Sequence, residues 1–408
     1  MPIMTLAQQA KDFADFYVPR FEVRVSGTAL PTSIVRDIIS VTYKDSIKDV
    51  DSFELSVGNW DAATRMFRYL ESDGKVPRPP NADDQLRYRM FQPGPRTLSL
   101  NLGYGSKLVT MAKGDVSTLE PTFGQGDACT LTVRVLNVLH RLRDKQRSQR
   151  WSDKRISEIA KSIKTLNDPA TQQKLDVRIN DAARKLEKPF ASIAQENQYD
   201  IDFLVQRAQL AGYVVYIGEE PSKDGKTKEF LYFGPSEMRD GKPVEGVTYE
   251  LEWGRSLNDF KPSLSVAKQV KSVEIRSHDR AKGKAIKEKV ELKDPAIAVN
   301  QDLARLLDQP GMPVREEVVV NEPQCTSESA RTRALAIIGD KLKEMVTATG
   351  SGVGRPDLRA GRKLEIKGVG TLFSGTYFVT ETTHTFNASG YITQFTARRE
   401  QPSKGGAS

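Results

Sequence analysis

Two periodicities of hydrophobic residues occur along the chain and predict a mainly β protein that also contains helices. From residue 21 the stretch FEVRVSG alternates apolar and polar positions, and the segments 38–46 and 51–60 continue this period of two. Further strand-like segments are TLSLNLGYG, KLVTMAKGDV and CTLTVRVL. Strands return at 264–275, at 284–292 and in KLEIKGVG, GTYFVTETTHTF and GYITQFTARRE near the end.

Helical spacing of apolar residues predicts helices near both ends of the chain. The first lies within residues 1–18, where one face would hold Leu6, Ala10, Phe13 and Tyr17. The second covers about 327–347, where one face would hold Ala330, Ala334, Ile337, Ile338, Leu342 and Met345. Residues 72–96 are rich in proline, glycine and charge, which predicts a loop or an extended arm.

The middle of the chain changes in character. Residues 140–196 are charged, and their pattern is typical of helices. The stretch WSDKRISEIAKSIK predicts a helix capped by Ser152 or Asp153. Its buried stripe would contain Ile156, Ile159, Ala160 and Ile163.

A compact helix-and-hairpin unit is predicted at 197–234. Asp200 is a suitable N-cap, Phe203 and Leu204 lie on the helix, and Gly212 suits its C-terminal end. Tyr213 then begins a strand, and a polar turn at 222–229 leads into FLYFG. We interpret these five residues as a structural helix-strand unit rather than a catalytic site.

One internal similarity concerns the segments 113–135 and 374–399. Each contains a glycine, a strand, a phenylalanine, a glycine turn and a strand that reaches an arginine, although the spacings differ. Phe123 lies nine positions after Gly114, and Phe386 lies eleven positions after Gly375. Chance similarity of two hairpins and a duplicated β-barrel both explain this pattern.

The predicted fold class is therefore mainly β, with an α/β insertion between two similar antiparallel barrels. The predicted domains are a helix and first barrel at 1–139, a helical and α/β insertion at 140–257, a second barrel with a helix at 258–400 and a disordered tail at 401–408.

Composition narrows the class of protein without identifying it. The net charge of +8, from 61 Lys+Arg and 53 Asp+Glu, is modest for 408 residues. Two distant cysteines, Cys129 and Cys325, favour free thiols in a reducing compartment. Neither a signal peptide nor a membrane span is predicted, so we expect synthesis in a cytoplasm.

The sequence offers no catalytic, cofactor-binding or metal-binding motif. His140, His278 and His384 lack the spacing of local zinc sites, and no GxSxG elbow occurs. The stretch that ends in Gly225-Lys226-Thr227 has Glu220 where a P-loop needs glycine, so a hairpin turn is predicted there. GSGVG at 350–354 follows a predicted helix, which favours a helix cap and a flexible loop.

Two kinds of charged segment remain. The acid pairs Asp83-Asp84 and Glu219-Glu220 lie in turn-like segments and are predicted to be solvated. The basic run at 140–150 could contact phosphates, but it lacks interleaved aromatic residues, so a solvated or inter-subunit face is favoured.

Several segments, taken in order, resemble the late-control D family of baseplate hub proteins and the hub half of VgrG-like spike proteins. They are DSFELSVGNWD, LNLGYGSKLVTMAKGDVSTLEPTF, YDIDFLVQRAQLAGYVVYIGEE, LRAGRKLEIKGVGTLFSGTYFVTETTHTF and GYITQFTARRE. The resemblance spans about residues 21–399.

This resemblance implies a homotrimer whose duplicated barrels form a pseudo-sixfold ring, joining a hexameric tail tube to a trimeric spike. It further implies baseplate wedge and tape-measure proteins as partners, no cofactor, no small-molecule substrate and no membrane anchor. Location would be the bacterial cytoplasm during assembly and then the baseplate of a particle. VgrG-like relatives continue into a further barrel and a needle, so we expect either that the spike is a separate polypeptide or that this sequence is part of a longer chain.

Two other functions remain open from the residues alone. One is a phage-associated hydrolase of cell wall or polysaccharide, with a site assembled from distant carboxylates, although no lysozyme-like insert is present. The other is a nucleic-acid-binding module that uses the basic run.

Overall fold

The structure, a computed structural model, shows the mainly β architecture with a few helices that the sequence predicts. It describes residues 3–13, 16–70, 87, 90–94, 96–124, 129–137, 140, 143, 145–163, 176–221, 227–236, 248–279, 282–297, 299–312, 315–320 and 326–401. The described helices are α1 (Leu6–Asp12), α2 (Thr32–Val35), α3 (Ile156–Ser162), α4 (Asp181–Leu186), α5 (Asp200–Ala211), α6 (Gln301–Leu307) and α7 (Ser327–Lys343). None of these described helices has the length and apolar character that a membrane span requires.

Strands make up the larger part of the described chain. The first ten are β1 (Ile3–Met4), β2 (Pro19–Val25), β3 (Thr28–Ala29), β4 (Ile38–Ser46), β5 (Ser52–Gly58), β6 (Trp60–Asp61), β7 (Met66–Phe67), β8 (Thr97–Tyr104), β9 (Lys107–Thr122) and β10 (Thr130–Asn137). The next six are β11 (Arg147–Lys154), β12 (Asp176–Ile179), β13 (Phe190–Gln198), β14 (Tyr213–Pro221), β15 (Thr227–Pro235) and β16 (Thr248–Glu252). The last eight are β17 (Asp259–Leu264), β18 (Val270–Asp279), β19 (Lys284–Glu291), β20 (Arg315–Val319), β21 (Val346–Val353), β22 (Lys363–Lys367), β23 (Gly375–Asn387) and β24 (Gly390–Arg399).

Six strands near the N-terminus form a barrel-like group, here called the N-terminal barrel. Their spatial order is β4-β5-β10-β9-β8-β2, and every neighbouring pair is antiparallel. Alternation fixes which side chains face inward: Phe53, Leu55 and Val57 of β5 are buried, while the residues between them are partly exposed. All six strands contribute to one hydrophobic cluster.

Six later strands repeat this arrangement and are called the C-terminal barrel. Their spatial order is β17-β21-β24-β23-β22-β16. If the strands of each barrel are numbered from one to six in chain order, strands with the same number occupy the same place in both barrels. Strand β4 therefore corresponds to β17, and β9 corresponds to β23. The one difference in direction is that β16 and β22 are parallel, whereas β2 and β8 are antiparallel. The matching order supports duplication rather than a chance similarity of two hairpins.

The two barrels join into one 14-stranded sheet through β23. A β-bulge between Val379 and Glu381 divides β23 into two parts. Before the bulge, β23 pairs with β22 of its own barrel. After the bulge, it pairs with β4 of the N-terminal barrel. We call this second contact the inner junction.

Two additions surround the barrels. Between β10 and β16 lies an α/β unit with the two-stranded sheet β11-β13, the three-stranded sheet β12-β15-β14 and helices α3 to α5. Within the C-terminal part, the sheet β19-β18-β20 packs against α7, whose buried residues are Ala330, Ala334, Ile338, Leu342 and Lys343. The domain limits at 139, 257 and 400 stay predictions.

Several local predictions about helix ends are wrong. Residues 147–154 form strand β11, so neither Ser152 nor Asp153 caps α3, whose N-cap is Arg155. Helix α1 ends at Asp12, which leaves Tyr17 exposed rather than on a helical face.

Two glycine-rich or acidic segments are also strands. Residues 350–353 belong to β21, where Gly350 lets the ring of Phe395 and the backbone of Asp259 approach closely. Glu219 and Glu220 lie in β14 rather than in a turn.

Other predictions fall outside the described residues. They are most of the loop at 72–96, the acid pair Asp83-Asp84, the turn at 222–226, Cys325 and the tail from 402 onward. The strands flanking that turn, β14 and β15, do pair as an antiparallel hairpin.

Candidate assembly site at the inner junction

The predicted helix-strand unit lies in the core of the α/β insertion. Phe203 and Leu204 of α5 are fully buried in one hydrophobic cluster with Tyr213 of β14. Gly212 follows the helix with φ 69° and ψ 28°, the left-handed conformation that favours glycine. A Cβ added there would lie 3.2 Å from the Cβ of Ala336 on α7. This unit is therefore a packing element that connects the insertion to the C-terminal part.

Asp200 begins α5 rather than capping it, because the N-cap is Tyr199. Its buried carboxylate accepts a hydrogen bond of 2.8 Å from the Gln195 side chain and lies 3.4 Å from Nε of Arg147. Arg143 pairs with Asp202 at 3.0 Å in the same turn of the helix. Two arginines of the predicted basic run are thus occupied by carboxylates of this chain.

The inner junction contains a group of buried, hydrogen-bonded polar side chains. Asp45 of β4 is buried, and its carboxylate accepts hydrogen bonds from the Thr382 hydroxyl and, at 3.1 Å, from the Ala360 amide. Burial raises the pKa of Asp45, while the guanidinium of Arg359, 3.9 Å away, and these hydrogen bonds oppose the rise. These contacts join segments that are more than 300 residues apart in sequence.

Arg359 connects the loop after β21 to the N-terminal barrel. Its guanidinium donates hydrogen bonds to the carbonyl oxygens of Met111, at 2.9 and 3.0 Å, and of Thr110, at 3.1 Å. Its Nε donates to the carbonyl of Pro356 at 3.2 Å, and its charge lies 4.6 Å from the centre of the Tyr43 ring. One side chain therefore satisfies backbone groups of both barrels.

His384 occupies the centre of the inner junction and is fully buried. Burial lowers its pKa well below the usual value, so the imidazole is neutral at pH 7. Nε2 lies 2.9 Å from the carbonyl oxygen of Leu358 and must donate to it, which leaves Nδ1 to accept from the Tyr391 hydroxyl at 2.8 Å. The hydrogen-bond network thereby fixes the tautomer of the ring.

A second buried cation lies close by. Arg355 is almost fully buried, and its guanidinium nitrogens make no hydrogen bonds among the described residues. Burial lowers its pKa, and the nearby carboxylate of Asp357 opposes that effect. Tyr104 in turn donates a 2.8 Å hydrogen bond to the Gly354 carbonyl, which links this segment to β8.

The chemistry of the inner junction is structural. It contains an aspartate, a threonine and a histidine in contact, but all three are buried, so no substrate can reach the Thr382 hydroxyl. The neutral His384 donates to a backbone carbonyl instead of accepting a proton from a nucleophile. In the part of the chain that the structure describes, no group of three His, Cys, Asp or Glu side chains could hold a metal ion.

Replacement of His384 by glutamine is expected to change the pH dependence of stability. The unfolded histidine takes up a proton below about pH 6.5, whereas the buried ring does not, so acid favours the unfolded wild-type chain. Between about pH 7.5 and pH 5.5, the free energy of unfolding of the wild type should fall by about 1.4 kcal/mol relative to His384→Gln. Urea denaturation of both proteins measures this difference, and parallel pH profiles would contradict it.

Fold and site together define a mainly β protein with two six-stranded groups of the same strand order, which a buried polar network holds together. The family model of the Alg8 N-terminal domain matches residues 17–388, and the chain belongs to this family. No curated protein matches the chain.

Solved structures of tail proteins share this fold. The 43 kDa tail protein of prophage MuSo2 from Shewanella oneidensis is 13% identical with a TM-score of 0.61, over 93% of this chain and 98% of that protein. A tail protein from Neisseria meningitidis MC58 is 14% identical with a TM-score of 0.61, over 94% and 97%. The E. coli c3393 protein, a type VI secretion component, is 10% identical with a TM-score of 0.53, over 94% and 77%. At these identities the likeness establishes the fold.

Proposed function

We propose that this chain is a structural baseplate hub of a contractile tail or injection system, which joins a hexameric tail tube to a trimeric spike. The observation that carries the proposal is the repeated strand order of the two barrels. Three copies of a chain with two similar barrels present six similar units around a threefold axis. Such a ring can meet sixfold neighbours on one face and threefold neighbours on the other.

Similarity of fold to tail proteins and to a type VI secretion component supports the proposal. Within this class, the motifs quoted above favour a hub like those of the late-control D family and of VgrG-like proteins. The proposed partners are two further copies of the chain, the tail tube, the spike, and the baseplate wedge and tape-measure proteins. The proposed location is the bacterial cytoplasm during assembly and then the baseplate of the particle.

We propose a non-enzymatic role because the one acid–hydroxyl–imidazole group described here is sealed inside the inner junction. His384 and Thr382 are both fully buried, and each side chain is occupied by hydrogen bonds within the chain. Their hydrogen bonds stabilise the contact between the two barrels, and a hub that transmits mechanical load requires such a stable contact.

Light scattering of the purified chain is expected to give a mass of three times 45.5 kDa. The physical reason is that a ring of six barrels needs three chains, and a closed ring stops growing at that size. Electron microscopy of the same sample should show a ring with a threefold axis.

A stable monomer, alone and after co-expression with its tube and spike proteins, would contradict the hub. Cleavage of cell-wall polysaccharide by that monomer would favour the hydrolase instead. Salt-sensitive DNA binding that is lost on charge reversal at Arg143 and Arg147 would favour the nucleic-acid-binding module.

A further inference from the structure

The inner junction shows how two of these barrels fit together. After its bulge, β23 pairs antiparallel with β4, with Glu381 opposite Ser46 and Phe386 opposite Val41. Before its bulge, the same edge of β23 pairs with β22. The first part of β23 thus completes its own barrel, and its last part extends the sheet of the other barrel.

Strand β9 has the same construction, but no described strand pairs with this edge of its last part. Residues Lys107–Asp115 pair with β8, whereas residues 116–122 have no partner strand on that edge among the described residues. Strand β17, which corresponds to β4, is also an edge strand and pairs only with β21 in the described part of the chain. Both components of a second junction are therefore present, and neither is paired at that edge with another described strand.

The β-bulges establish which residues of β9 and β23 correspond. The bulge in β9 leaves Ser117 without a partner on β10, and the bulge in β23 leaves Thr380 without a partner on β24. Phe123 lies six residues after Ser117, and Phe386 lies six residues after Thr380. Aligning the bulges removes the unequal spacing that appears when the two hairpins are counted from their glycines.

Burial differs between the corresponding positions of β23 and β9. Thr382 and His384 are fully buried because they face the inner junction. Their counterparts are apolar yet less buried: Leu119 is partly exposed, and Pro121 is exposed. Apolar side chains that stay partly exposed beside an unpaired strand edge indicate a contact with another protein surface.

The same difference separates β4 from β17. Val41 and Tyr43 are buried in the inner junction. The register of β17 with β21 makes Phe260 and Pro262 their counterparts, and both are only half-buried although they are apolar. The free edges of β9 and β17 therefore present apolar side chains at the positions where the inner junction buries its own.

Aromatic residues extend this correspondence. At the inner junction, Phe386 packs edge-to-face on Phe21, with ring centroids 4.9 Å apart. Its counterpart Phe123 is 63% exposed. In the C-terminal barrel, Trp253 lies beside Gly368 at the position that corresponds to Phe21. The Trp253 side chain is 52% exposed. Phe123 and Trp253 are thus exposed aromatic side chains, one beside each of the two unpaired strand edges.

We propose that residues 118–123 of one copy pair antiparallel with β17 of a second copy, in the register of the inner junction. This register sets opposite each other Leu119 and Leu264, Pro121 and Pro262, and Phe123 and Phe260. The two prolines cannot donate hydrogen bonds, so the ladder is incomplete at its centre and depends on side-chain packing. Prolines on both edges also disfavour pairing with unrelated strands before assembly.

The contact joins two different patches, so each copy offers one edge to each neighbour. If this contact between copies repeats the geometry of the inner junction, three copies form a closed ring. The ring then contains six similar junctions, three within chains and three between chains. The inference rests on the proposed trimeric hub and adds the surface through which its copies meet.

A disulfide test follows from the register, which sets Glu120 opposite Ser263 of the second copy. Both side chains are exposed, so cysteines at these positions should leave the fold intact. The full chain carrying Glu120→Cys and Ser263→Cys, with Cys129 and Cys325 replaced by serine, is oxidised and run on a non-reducing gel. Neighbouring antiparallel positions have the Cα separation that a disulfide needs, about 4.4–6.8 Å. We expect cross-linked dimers and trimers, with nothing larger.

The matched control carries Glu120→Cys with Asp259→Cys, which the register sets about 13 Å apart. It should remain unlinked. A trimer by light scattering without a Glu120–Ser263 cross-link would overturn the proposed surface and leave the hub intact. A monomer without cross-links, alone and after co-expression with the tube and spike proteins, would overturn both, and equal cross-linking of the control would overturn the register.

Discussion

Truncation of Phe203 to alanine is expected to lower the free energy of unfolding by about 3–5 kcal/mol. Phe203 is fully buried in the cluster that joins α3, α5, β14 and β15, so its removal leaves a cavity that the surrounding strands cannot fill. Its ring also lies 5.2 Å from the guanidinium of Arg207, which loses that contact. Urea denaturation measures the loss of stability, and light scattering measures the accompanying loss of assembled protein.

Phe190→Ala is the matched control for this change. Phe190 lies in β13 of the same insertion, but its side chain is substantially exposed, so its truncation should cost less than about 1 kcal/mol. Equal stability of Phe203→Ala and the wild type would show that the helix-strand unit is not part of the folded core.

Sequence periodicity predicts this fold well where one face of an element is buried. The alternating residues of β5 and the helical stripe of α7 identify both elements, because burial of one face imposes the period. Strand β11 is different: its residues RSQRWSDK are mostly exposed and pair only with β13, so no hydrophobic alternation marks them. Charge at these positions is equally typical of an exposed helix, which is why the sequence alone favours the wrong element.

The inner junction could not be predicted from the sequence. Its polar residues lie in short segments that individually read as a strand or a loop, and Asp45 meets Thr382 only because the two barrels pack together. The segment RPDLRAG is rich in charge and would ordinarily be solvated, yet Arg355 and Arg359 are buried. Two arginines beside glycines in a loop that follows a strand are a weak signal of such a site.

Arg359→Met should be among the most destabilising substitutions in the chain, at about 3–5 kcal/mol, because it removes one partner of a buried ion pair. The change leaves the Met111 carbonyl without its donor and the buried Asp45 carboxylate without its nearest cation. Arg255→Met is the matched control: its ion pair with Glu252 is exposed, so its loss should cost about 0–1 kcal/mol.

Adding Asp45→Asn to Arg359→Met tests whether the charge itself carries this effect. Asparagine removes the uncompensated carboxylate, so the double variant should regain about 1–3 kcal/mol relative to Arg359→Met alone. Acid should narrow that gap, because loss of the guanidinium raises the pKa of Asp45 further and protonation then neutralises the buried group. Denaturation of the three variants at neutral and acidic pH measures both effects. Strictly additive losses at every pH would mean that Arg359 acts only through its hydrogen bonds to the backbone of β9.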